Sequence, residues 1–184
     1  MRDSKDERIV TIARQLFEEN GVRQTTVSDI MERAGMARES FYYHFRSKDE
    51  LVTGVLNSYA KIFAADIIRW SDDLDEGKIT FEDFPRYLRL HFSCNEGDIG
   101  AMCDIARETG RIDSVVVRLA DYTIEALKPT SFYQLCLRCC PAHPERALRF
   151  TLYATILMVL EDTDISDEEM ARITRSALNI PDSL

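Results

Sequence analysis

Between residues 38 and 48 the chain places Arg38, Glu39, Ser40, Tyr42, Tyr43, His44 and Lys48 within a few turns of one another. A guanidinium such as that of Arg38 can form a bidentate pair with the O6 and N7 of guanine. A tyrosine or serine hydroxyl can reach a phosphate oxygen, and a carboxylate can accept from cytosine N4. Lys48 falls where a helix would begin. There, unsatisfied N–H groups and the positive end of the helix dipole add to its charge as a seat for phosphate. Thr26 stands at the corresponding point of an earlier helix. This is the chemistry of reading a polyanion, yet the 184 residues carry a formal net charge of −9. The acidity is uneven. Residues 1–51 hold nine Lys/Arg against ten Asp/Glu, and residues 52–184 hold fourteen against twenty-two, so most of it belongs to the later part.

Helices must position these groups. Ile9, Ile12, Ala13, Leu16 and Phe17 recur with the spacing of an amphipathic helix, and Asn20-Gly21 closes it. Thr26 and Asp29 have the spacing of a capping box for a second helix that buries Val27, Ile30, Met31 and Ala34. Gly35 breaks that helix, and a short third one runs from about Ala37 to Tyr43. Phe41 and Phe45 fall on its inner face and the polar residues on the outer one. Ser47 and Glu50 open a fourth helix over about 47–70, followed by a polar loop from Ser71 to Lys78 and further helices near 81–95, 98–108, 112–128, 131–140, 144–162 and 166–179. Pro129, Pro141, Pro144 and Pro181 fall at the junctions. The expected fold class is all-α. Two short helices about a glycine turn form a helix-turn-helix candidate whose second helix would enter a DNA major groove. The same pattern also suits ordinary core packing.

The segment from Thr26-Val27-Ser28-Asp29-Ile30 through Ala34-Gly35-Met36 to Phe41-Tyr42-Tyr43-His44-Phe45-Arg46-Ser47-Lys48-Asp49-Glu50-Leu51 resembles the N-terminal domain of the TetR family of transcriptional regulators, over about residues 8–52. The resemblance implies a three-helix DNA-binding domain (1–46), followed by an α-helical effector-binding and dimerisation domain (47–184), the fourth helix joining the two. It implies a homodimer, a double-stranded DNA operator of pseudo-palindromic sequence, and repression relieved by a small-molecule effector, while the lack of a signal-peptide pattern or membrane span makes a cytoplasmic location the expectation. Two positions depart from the family pattern. Ala37 stands where a capping Ser or Thr is usual, and Glu39 where a small residue is common.

In the later part, aromatic and polar residues at helical spacing make Phe63, Trp70, Tyr87, His91, Cys94, Cys103, Tyr122 and Phe132 the candidates for an apolar ligand pocket. The same stripe is also what a plain core requires. Residues 147–160 are apolar on nearly every face. With the stripe Met170, Ile173 and Ala177 they suggest a twofold four-helix interface through Phe150, Tyr153, Leu157, Met170, Ile173 and Ala177.

Five cysteines, an odd number, argue against a closed disulfide framework. Cys136, Cys139 and Cys140 lie within about a turn of one another, close to Arg138 and His143. They admit three readings: structural thiols, a thiol sensor, or a soft-metal site. No metal or cofactor is expected on balance. Enzyme motifs such as a phosphate-cradling glycine loop or a nucleophile elbow do not occur, so an enzyme is not expected. A helical enzyme or protein scaffold with a non-functional helix-turn-helix is the reading of another class. The N-terminal residues hold no apolar stretch like that of a signal peptide, and no uninterrupted apolar run approaches a membrane span, so no membrane partner is expected.

Overall fold

The computed structural model describes residues 2–92, 98–140, 142–161 and 164–181, and among them every regular element is helical. Helix α1 is Arg2–Asn20, α2 is Val27–Arg33, and a 3-10 turn at Arg38–Ser40 runs into α3, Phe41–His44. Then follow α4 (Lys48–Asp75), a 3-10 turn (Phe81–Asp83) leading into α5 (Phe84–Phe92), α6 (Asp98–Glu108), α7 (Ile112–Leu127), α8 (Ser131–Cys139), α9 (Pro144–Leu160) and α10 (Asp167–Ala177). The chain is all-α, with an N-terminal helix-turn-helix domain and a C-terminal helical domain.

The chain divides into two compact units, residues 1–59 with 101–112, and residues 60–100 with 113–184. The expected division at residues 46 and 47 is therefore not where the contacts divide. The first unit extends further along α4 and includes the C-terminal part of α6.

The first unit closes over Ile9, Ala13, Leu16, Phe17, Ile30, Met31, Phe41, Leu51, Val55 and Tyr59, all buried. The second closes over a ring cluster. Trp70 lies 4.8 Å from Phe84 and 5.1 Å from Phe132, centroid to centroid, and Phe81 stacks on Phe132 at 6.1 Å. There α5 packs against α9 and α10, and α8 against α9.

Two helices differ from the sequence expectation. The polar loop expected at Ser71–Lys78 is in fact the last turn of α4 as far as Asp75, because Trp70 and Ser71 both face inward and are almost fully buried. The third helix begins as a 3-10 turn. Its first residue follows Ala37, which offers no side-chain oxygen to cap it.

By length and composition α4 could cross a membrane, since one 18-residue window has a mean hydropathy of 1.3. Yet 56% of that window is buried within the fold, as a core helix requires.

Candidate nucleic-acid interface

The recognition segment is a layer of polar side chains over two phenylalanines. Phe41 is fully buried and Phe45 nearly so, with ring centroids 5.8 Å apart. Tyr42 packs edge-on against Phe41 with centroids 5.3 Å apart, yet remains 63% exposed, and Tyr43 is 75% exposed. Arg38 and Glu39 lie exposed on the 3-10 turn.

The turn before this segment depends on Gly35. At φ +64° it takes a left-handed conformation that a side chain would strain. Its N–H donates to Glu32 O and that of Met36 to Met31 O, both at 2.9 Å, which closes α2 and redirects the chain.

The structure gives the remaining expected residues other partners. Thr26 caps α2: its hydroxyl accepts from Asp29 N at 3.2 Å and donates to Asp29 Oδ2 at 2.8 Å, while its own N–H reaches the same carboxylate at 2.7 Å. Those bonds, the backbone one first, hold the Asp29 carboxyl below its ordinary value. The Ser40 hydroxyl donates to Ala37 O at 2.6 Å. The half-buried His44 ring meets the Asp6 carboxylate through Nδ1. The Lys48 ammonium donates to the Val22 carbonyl. Arg38, Glu39, Tyr42 and Tyr43 all lie exposed to solvent.

Ser47 caps α4 by accepting from Glu50 N at 3.1 Å. The Glu50 carboxylate reaches back to Arg46 N at 2.6 Å, one residue beyond the usual capping-box partner.

Glu108, at the end of α6, is a residue that no motif or spacing in the sequence singles out. Its Oε2 accepts from Val22 N at 2.8 Å and its Oε1 from Arg23 N at 2.7 Å. Burial alone would raise its pKa. The two backbone N–H donors and the charges of Arg23 and Lys48 outweigh it and hold the carboxyl below its ordinary value of 4.5. Nearby, Arg111 pairs with Asp49 at 2.5 Å. These partners lie 85 and 86 positions apart along the chain for Glu108, beyond any local pattern.

In the second unit, the expected ligand residues are mostly core. Phe63 and Trp70 are buried, and the space among Trp70, Phe84, Leu127 and Leu152 is only about 10 Å3. The Tyr87 hydroxyl donates to Asp66 O at 2.8 Å. Tyr122 is half-buried. Cys103 is buried, but in the first unit. Cys94 and the side chain of His91 lie outside the described residues. Phe132 borders a roomier cavity, of about 300 Å3, with Leu74, Asp75, Phe81, Ser131, Leu135, Arg138 and Ile180. Of the buried polar atoms, Trp70 Nε1, Ser71 Oγ and Thr123 Oγ1 have no hydrogen-bond partner among the described residues.

Of the cysteine cluster, Cys136 is buried, while Cys139 and Cys140 are half-buried. Burial, then the neighbouring Cys140 and Cys139, pushes the Cys136 thiol up to about 12, and burial also raises Cys140. Cys140 Sγ donates to Leu178 O at 3.0 Å. Raised thiols carry little thiolate, the form that binds metals and meets oxidants. Among the described residues no group of three His, Cys, Asp or Glu could hold a metal.

On the last two helices, Phe150 is 71% exposed and Ile173 48%, Ala177 is exposed, and Tyr153 and Leu157 are half-buried. Met170 is fully buried instead. Along α10 the stripe Met170, Ala171, Thr174 and Leu178 faces inward, so this residue belongs to the core and not to an exposed face.

A profile of the family described as "Bacterial regulatory proteins, tetR family" matches residues 9–55. The chain is 36% identical over 56 residues to the HTH-type transcriptional repressor KstR2 of Mycolicibacterium smegmatis, a match spanning 30% of this chain and 27% of that protein. The chain thus aligns with only about a quarter of that relative's length. Two solved structures share the fold over nearly the whole chain. RolR in complex with resorcinol is 20% identical with a TM-score of 0.64, covering 98% of this chain and 95% of that one. The multidrug binding protein EbrR complexed with imidazole is 15% identical with a TM-score of 0.63, covering 96% of each. The motifs between Thr26 and Leu51 and their place in a helix-turn-helix agree with the profile match: residues 9–55 form a segment like the helix-turn-helix of the tetR family of bacterial regulatory proteins.

Proposed function

We propose that the chain is a sequence-specific DNA-binding transcriptional regulator, a cytoplasmic repressor that works as a homodimer on a pseudo-palindromic operator. The observation that carries this reading is the arrangement of Arg38, Glu39, Tyr42 and Tyr43, exposed on a short element that Phe41 and Phe45 fasten to the core. Arg38 contributes a bidentate contact to a guanine, and Glu39 an acceptor for cytosine N4. The tyrosines contact phosphate or the methyl edge of thymine.

The exposed apolar groups of α9 and α10 support the dimer, which would present two such elements to two half-sites. A small-molecule effector in the second unit, beside Phe132, relieves repression by binding the two conformations unequally. The solved structures with resorcinol and imidazole give that part its precedent.

The test is fluorescence anisotropy with duplex DNA from upstream of the chain's own gene, against a scrambled duplex of equal length. The expected result is tight, sequence-selective binding whose affinity falls steeply with salt as phosphate contacts release counterions. Arg38→Ala should cost about 1–3 kcal/mol on the selected sequence and relax selectivity at one base position. Equal binding to both duplexes would overturn the reading.

A further inference from the structure

We propose that Glu108 is the positioning residue of the recognition segment. One carboxylate, by gripping the turn before α2, sets the pose in which Arg38 and Tyr42 meet DNA. The inference rests on the DNA-binding reading above and adds to it a residue outside the helix-turn-helix.

The physical need begins at Gly21. Its N–H closes α1 onto Phe17 O at 2.9 Å, and its φ of +80° turns the chain away from the helix. The next two N–H groups, of Val22 and Arg23, are then left without a helical acceptor. Glu108 supplies both, with one oxygen to each at 2.8 and 2.7 Å. Hydrogen bonds to a charged acceptor are about twice as strong as neutral ones, and a two-pronged grip fixes direction as well as distance. From the other side, the Lys48 ammonium takes the Val22 carbonyl. The fit is close, since a Cβ added at Gly21 would lie 3.4 Å from Glu108 Oε2.

The same stretch of chain also holds the far end of the motif. Arg111, three residues on, pairs with Asp49 at the start of α4, immediately after the recognition segment. Residues 108–111 therefore frame the helix-turn-helix at its entry, Val22 and Arg23, and at its exit, Asp49. Helix α6, which delivers Glu108, has its first residues in the second unit and its remainder in the first.

Electrostatics alone predicts the opposite sign for the decisive variant. Removing a carboxylate from a DNA-binding domain lowers its repulsion of phosphate, so Glu108→Gln should strengthen binding to all DNA. Positioning predicts loss on the operator only.

The experiment compares wild type, Glu108→Gln and Glu108→Asp, each checked for native helicity by circular dichroism. Binding is measured to a duplex recovered by in-vitro selection on the wild type, and to a scrambled duplex of the same length. For both variants, affinity for the selected duplex should fall about tenfold, as expected for losing a charge-assisted pair. Scrambled-duplex affinity should stay level or rise. Glu108→Asp keeps the charge but shortens the reach, so its loss separates geometry from charge. In the free protein, amide exchange at Val22 and Arg23 should quicken in both variants, which a merely stabilising residue elsewhere in the core would not produce selectively.

Unchanged or tighter binding to the selected duplex by folded Glu108→Gln overturns the inference. So do parallel losses on both duplexes. If selection on the wild type yields no preferred sequence, the DNA-binding reading itself fails, and it fails before any variant is made.

Discussion

At the scale of single residues, the proposed recognition segment separates buried anchors from exposed polar side chains. Phe41→Ala would leave a cavity under the segment and cost roughly 3–5 kcal/mol, seen as a lower thermal midpoint together with loss of operator binding. Ala37 gives an opposite prediction. Its backbone, at φ −64° and ψ 139°, already has the extended conformation of a capping residue, but it has no oxygen to offer. Ala37→Ser should therefore stabilise the protein by about 0.5–1 kcal/mol, measurable in urea unfolding. For Cys136, the raised thiol predicts almost no labelling by a thiol reagent at pH 8 in the folded protein and rapid labelling once unfolded. Fast labelling of the folded state would revive the sensor reading. The inward Phe41 and Phe45 and the outward Tyr42 and Tyr43 were legible from their spacing. The fates of His44 and Lys48 were not, because their partners, Asp6 and Val22, come from a different helix and a different turn.

At the scale of elements, helix starts were the most readable feature. Thr26 and Asp29 form the reciprocal cap that their spacing implies, since that chemistry is complete within four residues. Helix ends were less so. The polar side chains of residues 71–75 suggested a loop, while the buried Trp70 and Ser71 show that packing carries α4 onward. The tie between α6 and the turn before α2 was illegible, being a contact between distant stretches. It has a pH signature. The Glu108 carboxyl is held below 4.5 in the fold, so its ionised form is the one the fold favours. The stability it contributes is full above the unfolded carboxyl's pKa and is lost as pH falls through the lower folded one. Wild type and Glu108→Gln should therefore differ in urea midpoint at neutral pH and converge in acid below the ordinary carboxylate range. A constant difference across that range would place the effect of the substitution elsewhere.

At the scale of the whole molecule, the all-α class and the family resemblance followed from periodicity and from motifs in order between Thr26 and Leu51. The expected pocket was less accurately placed. Helical spacing marks which residues face inward but not which inward faces leave space, so Trp70 and Phe63 were as eligible as Phe132. The assembly is open to a direct test. Phe150→Asp with Ile173→Asp puts charge on exposed apolar positions and should leave the fold intact, since neither side chain is buried. Sedimentation should show a dimer giving way to a monomer, with operator affinity falling steeply because two half-sites are no longer engaged together. The division between buried anchors and exposed side chains at the proposed recognition segment has a consequence for the protein's history. Arg38, Glu39, Tyr42 and Tyr43 sit largely in solvent, where exchanges usually alter stability by no more than about 0.5 kcal/mol. Mutation can explore new target sequences there almost without a folding penalty, so divergence among gene duplicates should accumulate at these four positions while Phe41 and Phe45 stay unchanged beneath them.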